Sequence, residues 1–258
     1  MPPVSGGCDS KGNVGPCQDG NVYSSLRRDD EEGGDWPFRA AVGCLLWLAT
    51  MTRPDIANAV RDVARHSHNP CARHWAGVLK ILSYLDKNRS LGLTFTRGSR
   101  LELDLYADAG FAEKSWNRRS VSGVAVMLGG VAVRFSSSTQ HCATVSTTET
   151  EYVALGEEAR QGLYVKGVLA FLRPELYGIG IKLFEDNAVA QSLAENPRSS
   201  SWSRYIDVRY HFIRDLVKAG NVSVHHVNSK DQHADILTNA LPLQMLRDHR
   251  RVLMNLSN

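Results

Sequence analysis

Residues Leu101 to Phe111 read LELDLYADAGF, and this stretch decides the fold. Leu101, Leu103 and Leu105 alternate with Glu102, Asp104 and Tyr106, the period of two expected of a half-buried strand. The same segment then delivers Asp108 just past the predicted strand end. Alone, an Asp at that place reads as a strand terminator. Three further acidic positions change that reading: Glu151, Asp186 and Asp235 each fall at the edge of a predicted helix or strand. One sheet can gather all four at one end, and four converging carboxylates suggest a divalent-metal site.

The chain around this stretch is mixed in character. At 258 residues and 43% hydrophobic it is long and apolar enough to bury a substantial core. A net charge of +3 is too mild to announce a nucleic-acid partner or to exclude one, so local charge must carry that question. The cysteines (Cys8, Cys17, Cys44, Cys71, Cys142) are odd in number and form no CxxC pair, which argues against a disulfide framework or a zinc ribbon. The longest apolar run, Ala40 to Met51, is too short to span a bilayer, and no signal peptide is visible. The expectation is a protein with no membrane segment, intracellular, cytoplasmic or nuclear.

Residues 1–35 are rich in Gly, Asp and Ser, carry the charge run RRDDEEGGD, and are expected to form a poorly ordered arm. Residues 36–92 predict a helical subdomain of three helices. The first carries Phe38, Val42 and Leu45, the second starts near Pro54, and the third carries Trp75, Val78, Leu82 and Leu85. Its basic residues, Arg53, Arg61, Arg65, Arg73, His74 and Lys80, read either as a phosphate-binding face or as solvated helix surface. From residue 93 the pattern predicts strands at Leu93–Thr96, Leu101–Ala107, Ser122–Leu128, Val131–Ser136, Ile181–Phe184 and Val222–Val227. Between them lie a long helix over Thr147–Leu172, a helix over Ala188–Ala194 and another over Arg204–Ala219. On the long helix, Glu151, Leu155, Glu158 and Gly162 share one line, while Tyr152, Ala159, Leu163 and Leu169 are predicted to meet the sheet. A final helical region runs from Asp231 and is interrupted at Pro242, leaving 243–258 as a helical tail. The fold class is α/β, a mixed sheet flanked by helices.

The segments YADAGFA (106–112), NRRSVSG (117–123), STTETEYVAL (146–155), EDNAVAQSLAENP (185–197), YIDVRYHFIRD (205–215) and DQHADILTNALP (231–242) resemble, in order and spacing, the ribonuclease H domain of Ty1/copia-type retrotransposon polyproteins. The upstream AVGCLLWLATMTRPDIANAV and HWAGVLKILSYL resemble the connection segment that follows the reverse transcriptase in that family. The resemblance spans about residues 36–242. It implies an RNase H-like five-stranded mixed sheet over 93–242 and a set of four carboxylates, Asp108, Glu151, Asp186 and Asp235, acting as catalytic metal ligands. Glu149 and Asp231 compete for the second and fourth places.

The implied cofactor is Mg2+ or Mn2+ in a two-metal site, and the implied reaction is hydrolysis of the RNA strand of an RNA–DNA hybrid. RNA choice would come from 2′-hydroxyl contacts across the minor groove. Arg118, Arg119, Arg204 and Arg209 are the candidate phosphate contacts, and His225, His226 and His233 the candidates for proton transfer. His211, between Tyr210 and Phe212 on a predicted helix, reads as structural.

Two positions depart from the family pattern: Gly110 stands where a second Asp is usual, and Tyr205 where a His is usual. No YxDD-like motif of a polymerase palm occurs, so the chain reads as the C-terminal part of a pol polyprotein, with a polymerase chain or domain as a further partner in trans. Besides a nuclease, the departures leave open a catalytically silent hybrid-binding or interaction module.

Overall fold

The computed structural model describes residue 31 and residues 33–110, 119–140, 147–187 and 212–257. Three helices come first: α1 (Phe38–Met51), α2 (Ala57–Ala64), entered through a 3-10 turn at Pro54–Ile56, and α3 (Ala72–Lys87). The strands are β1 (Leu103–Gly110), β2 (Val121–Leu128), β3 (Val131–Thr139), β4 (Ile181–Glu185) and β5 (Val222–His226). Helix α4 (Thr147–Leu172) crosses from β3 to β4, a helical stretch over 212–218 precedes β5, and α5 (Leu243–Met254) closes the described chain.

The sheet runs β3-β2-β1-β4-β5. The first three strands are antiparallel hairpins, while β4 and β5 lie parallel to β1. Helices that return the chain make parallel pairing possible, and they cover the faces of the sheet. This is the RNase H-like mixed sheet that the sequence predicts.

Two apolar clusters sandwich the sheet. On one face Leu103, Leu105, Val124, Ile181 and Leu183 pack with Leu155 and Ala159 of α4. On the other, Ala125, Met127 and Phe135 share a core with α1 to α3, with Ile236 and Leu237, and with Leu246 and Leu253 of α5. The helical subdomain and the C-terminal helix thus share one core with this face of the sheet.

Several elements differ from expectation. Leu93–Thr96 is not a strand: Thr94 N donates to the Met254 carbonyl at 3.0 Å, and Asn255 Nδ2 donates to the Thr94 carbonyl at 2.8 Å. The segment spends its backbone on the end of α5 instead of a sheet edge. Leu155 and Glu158, both 0% exposed, press on the sheet together with Ala159 and Leu163 of the predicted face. A Cβ built on Gly162 would stand 2.3 Å from Leu105 Cδ2, so glycine sets the approach of α4 to β1. The helical region predicted from Asp231 divides into 3-10 turns at Ser229–Asp231 and His233–Leu237 before α5 begins. The helix predicted over 188–194 and the first part of the one over 204–219 lie outside the described residues.

Candidate active site

Asp108 lies inside β1, not beyond it, because β2 pairs with β1 as far as Gly110. Asp108 stands opposite Gly123, and a Cβ on Gly123 would meet Leu237 Cβ and Thr238 Cγ2 at 2.8 Å and the Ala234 carbonyl at 2.9 Å. Glycine is needed there so that the His233–Leu237 turn can lie directly on the sheet. That turn is pinned by Gln232, which is 1% exposed. Its Nε2 donates to the Phe184 carbonyl of β4 at 3.2 Å, and its Oε1 accepts from Ala234 N at 3.3 Å. Asp235 is thereby carried to the end of the sheet where Asp108 emerges.

The two carboxylates share partners. Thr238 Oγ1 donates to Asp108 Oδ2, and Asn239 Nδ2 donates to Asp235 Oδ1 at 2.5 Å and reaches Asp108 Oδ2 at 3.5 Å. Asp186 follows the end of β4, which runs parallel to β1, and its charge is among those that raise Asp108. Glu151 comes from the first turns of α4, where Ala154 packs against Ala107 and Ala109. These small side chains let the helix approach β1. Gln140 fixes the same end of α4, its Nε2 donating to Ser122 Oγ at 2.8 Å and to the Thr150 carbonyl at 3.1 Å.

Electrostatics shows how close the gathering is. Burial, followed by the negative charges of Asp235 and Asp186, pushes the Asp108 carboxyl up to about 7, against a lowering by the Thr238 hydrogen bond. Burial and the charges of Glu185, Asp108 and Asp186 raise Glu151 as well. Asp235 is raised by burial and by Asp186, with Asn239 and His249 opposing. Asp108 therefore senses Asp186 and Asp235, Glu151 senses Asp108 and Asp186, and Asp235 senses Asp186. Of the competitors, Asp231 is exposed on its own turn, and the Glu149 side chain lies outside the described residues.

Two acids missed in the sequence reading belong to this neighbourhood. Glu185, at the end of β4, is 0% exposed, accepts from Asn187 N at 3.0 Å, and leaves Oε2 without a hydrogen-bond partner. Its alternation with Ile181 and Leu183 was the available signal that it faces α4. Glu158 is buried on α4 with neither oxygen hydrogen-bonded. Burial drives both carboxyls well above their ordinary range, and each negative neighbour adds to the effect at Glu185.

His249 of α5 was also missed. It is 1% exposed, and its Nδ1 lies 3.1 Å from His233 Nδ1. Burial first, then His249, lowers His233 to about 4, so it is neutral near pH 7. His225 and His226 are exposed on β5, with His225 Nε2 at 2.8 Å from Ser223 Oγ. Arg119 is exposed just before β2, while Arg118, Arg204, Arg209 and His211 lie outside the described residues.

The donors gathered here are hard carboxylate oxygens, and the Oε2 atoms of Glu151 and Glu185 are buried without hydrogen bonds. Both features fit a hard divalent cation. Among the described residues, however, no group of three His, Cys, Asp or Glu side chains is arranged to hold a metal ion as they stand. Nor, among them, is any helix long and apolar enough to cross a membrane.

Sheet order and site together define an RNase H-like α/β domain. No family model matches the chain. It is 35% identical over 206 residues to the retrovirus-related Pol polyprotein from transposon TNT 1-94 of Nicotiana tabacum, covering 80% of this chain and 15% of that one. To the corresponding polyprotein from transposon RE1 of Arabidopsis thaliana it is 34% identical over 221 residues, 86% of this chain and 15% of that one. LC11-RNase H1, isolated from compost, superposes with a TM-score of 0.40 at 15% identity, covering 54% of this chain and 94% of that one. The chain belongs to the retrovirus-related Pol polyproteins of copia-type transposons, and it spans about 15% of the length of these relatives.

Proposed function

We propose that this chain is a metal-dependent ribonuclease H that hydrolyses the RNA strand of RNA–DNA hybrids. The observation that supports the reading is the gathering of Asp108, Glu151, Asp186 and Asp235, from four elements, toward one end of the sheet, where burial and then negative neighbours raise Asp108, Glu151 and Asp235. Membership in a Pol polyprotein family supports the substrate class.

Asp108, Glu151, Asp186 and Asp235 would hold Mg2+ or Mn2+, with Glu185 adjacent. Such ions supply a bound water of lowered pKa and charge stabilisation for the leaving 3′ oxygen. The chain's own residues set the stage for this. Thr238 fixes one oxygen of Asp108, and Asn239 ties Asp108 to Asp235, so the two carboxylates keep one relative placement. Burial of Asp108 and Glu185 keeps bulk water from solvating their charge, which strengthens their attraction for a cation. His233, two residues from Asp235, is neutral near pH 7, and its burial makes it a weaker base than a free imidazole. A polymerase chain or domain acting in trans would supply further affinity for the hybrid.

A second reading, a silent hybrid-binding module, is favoured by the side-chain arrangement, in which no three acids are yet set to hold an ion among the described residues. Gly110 points the same way, since there is room beside it, with Asn239 Oδ1 and Thr238 Cβ 3.7 Å from a built Cβ, and no carboxylate fills it. Cleavage of end-labelled RNA–DNA hybrid with Mg2+ or Mn2+ decides between them. The nuclease reading expects products from the RNA strand only, and a loss of about a thousandfold or more in Asp108→Asn with hybrid affinity retained. Hybrid binding without cleavage under either ion would establish the silent module.

A further inference from the structure

The sequence leaves six basic residues of the helical subdomain as one undivided set, and the structure separates five of them. Arg53 is buried against Asp55, at 2.8 Å, and Arg73 is engaged with Glu31, also at 2.8 Å. His74 is 0% exposed at the start of α3. Arg61 on α2 and Arg65 just past its end line a groove of about 380 Å³ between α1, α2 and β3. Its floor is apolar, including Ala57 and Phe135, while Thr50, Ser136 and Ser137 add hydroxyls to the two guanidiniums.

The register of the sheet relates this groove to the acidic site. Asp108 pairs with Gly123, and Gly123 pairs with Ser137, so the three stand in one row. Aligned neighbours on one row share a face, which here is the face that receives the His233–Leu237 turn and the helical subdomain. Arg61 Nε donates to Ser137 Oγ at 3.0 Å, and its Nη2 donates to Asn58 Oδ1 at 2.7 Å, so the arginine is held at the level of Asp108. At about 4.8 Å per strand, two strands separate them by about 10 Å. Arg65 is partly balanced by Asp62 at 3.6 Å on its own helix. The His233–Leu237 turn lies over Gly123 between the two, so a backbone that presents one phosphodiester to Asp108 reaches the arginines by passing around that turn.

We propose that this groove binds the sugar–phosphate backbone of the hybrid, with Arg61 and Arg65 contacting phosphates and Ser137 positioning Arg61. The proposal rests on the hybrid being the substrate. Two guanidiniums over an apolar floor complement a phosphodiester and its sugar, and they read no base, so the contact is independent of sequence. The helical subdomain then contributes to substrate placement as well as to the core.

The test is hybrid affinity by fluorescence anisotropy, without divalent ions, over a series of salt concentrations. Arg61→Gln with Arg65→Gln is expected to weaken binding about tenfold and to flatten the dependence of log K on log salt by about two units. Arg61→Lys with Arg65→Lys should recover much of the loss. Ser137→Asp, which removes no arginine but sets a carboxylate beside Arg61, should weaken binding as well. Arg100→Gln, an exposed arginine outside the groove, should leave affinity unchanged. Wild-type affinity and slope in a folded Gln pair and in Ser137→Asp overturn the proposal, as does an equal loss in Arg100→Gln or no binding by the wild type. Groove-dependent binding without any cleavage would remove the nuclease reading and keep the groove.

Discussion

Among the described residues two clusters of buried ionisable groups stand out, and the groups of only one are paired. In the helical subdomain, Arg53 and Asp55 have side chains 5% and 0% exposed. Arg53 Nε and Nη2 donate to the two oxygens of Asp55 at 2.9 and 2.8 Å, Tyr84 Oη donates to Asp55 Oδ2 at 2.7 Å, and Arg53 Nη1 donates to the Asn88 carbonyl at 3.1 Å. Arg250 of α5 reaches Tyr84 Oη at 2.7 Å and ties the C-terminal helix to the cluster. Here every charge has a partner. At the end of the sheet, acids face acids: Glu151, Glu158 and Glu185 all keep buried oxygens with no hydrogen bond among the described residues. Burying an uncompensated charge is costly, so a fold keeps such a cluster only for what it binds or does. The paired cluster holds the structure together, and the unpaired one is held by the structure.

The largest effect that would break this comparison lies in the paired cluster. Asp55→Ala leaves the Arg53 guanidinium and the Tyr84 hydroxyl buried without their acceptor, and should cost about 3–5 kcal/mol in urea unfolding. A loss below about 1 kcal/mol would mean that the pair is as dispensable as a surface ion pair.

A smaller effect concerns pH. Asp108 sits at about 7 in the folded protein against 3.8 for the free side chain. The folded state therefore binds more protons than the unfolded state between these values, and stability must fall as pH rises through that window. In metal-free protein the contribution is complete below about pH 4 and gone above about pH 7. Three pKa units on one group correspond to at most about 4 kcal/mol, and sharing of protons with Glu151 and Glu185 reduces what one substitution recovers to about 2 kcal/mol. Asp108→Asn should accordingly be more stable than wild type at pH 8 and nearly equal to it at pH 4, read from unfolding midpoints in chelator. The same gap at both pH values would show that Asp108 does not carry the repulsion.

How much of this was legible in the sequence depends on the range of the interaction. The alternation of LELDLY and the order of strands and helices are local patterns, and they led to the observed sheet. Leu93–Thr96 misled because its apolar alternation fits a strand, while its backbone partner is Met254. Glu185 was legible from the period of β4 but was passed over in favour of its neighbour Asp186. The His233–His249 contact and the division of the arginines between Asp55, Glu31 and the β3 groove join elements far apart in sequence, for which no local pattern exists.

The smallest expected effect sharpens the comparison most, because it has the opposite sign. Glu158 lies about two turns from Glu151 on the sheet-facing side of α4, is 0% exposed, and makes no hydrogen bond through either oxygen. Burial keeps its carboxyl protonated, so what it contributes is an unpaired polar group in an apolar layer beside Leu155 and Ala159. Replacing it with a flexible apolar side chain of similar length removes that cost without opening a cavity. Glu158→Met should raise stability by about 1 kcal/mol in metal-free protein. Asp55→Met, the matching change in the paired cluster, should lower it. A destabilised Glu158→Met would mean that this acid has a partner, and that the line of glutamates along α4 is built into the fold as firmly as the Arg53–Asp55 pair.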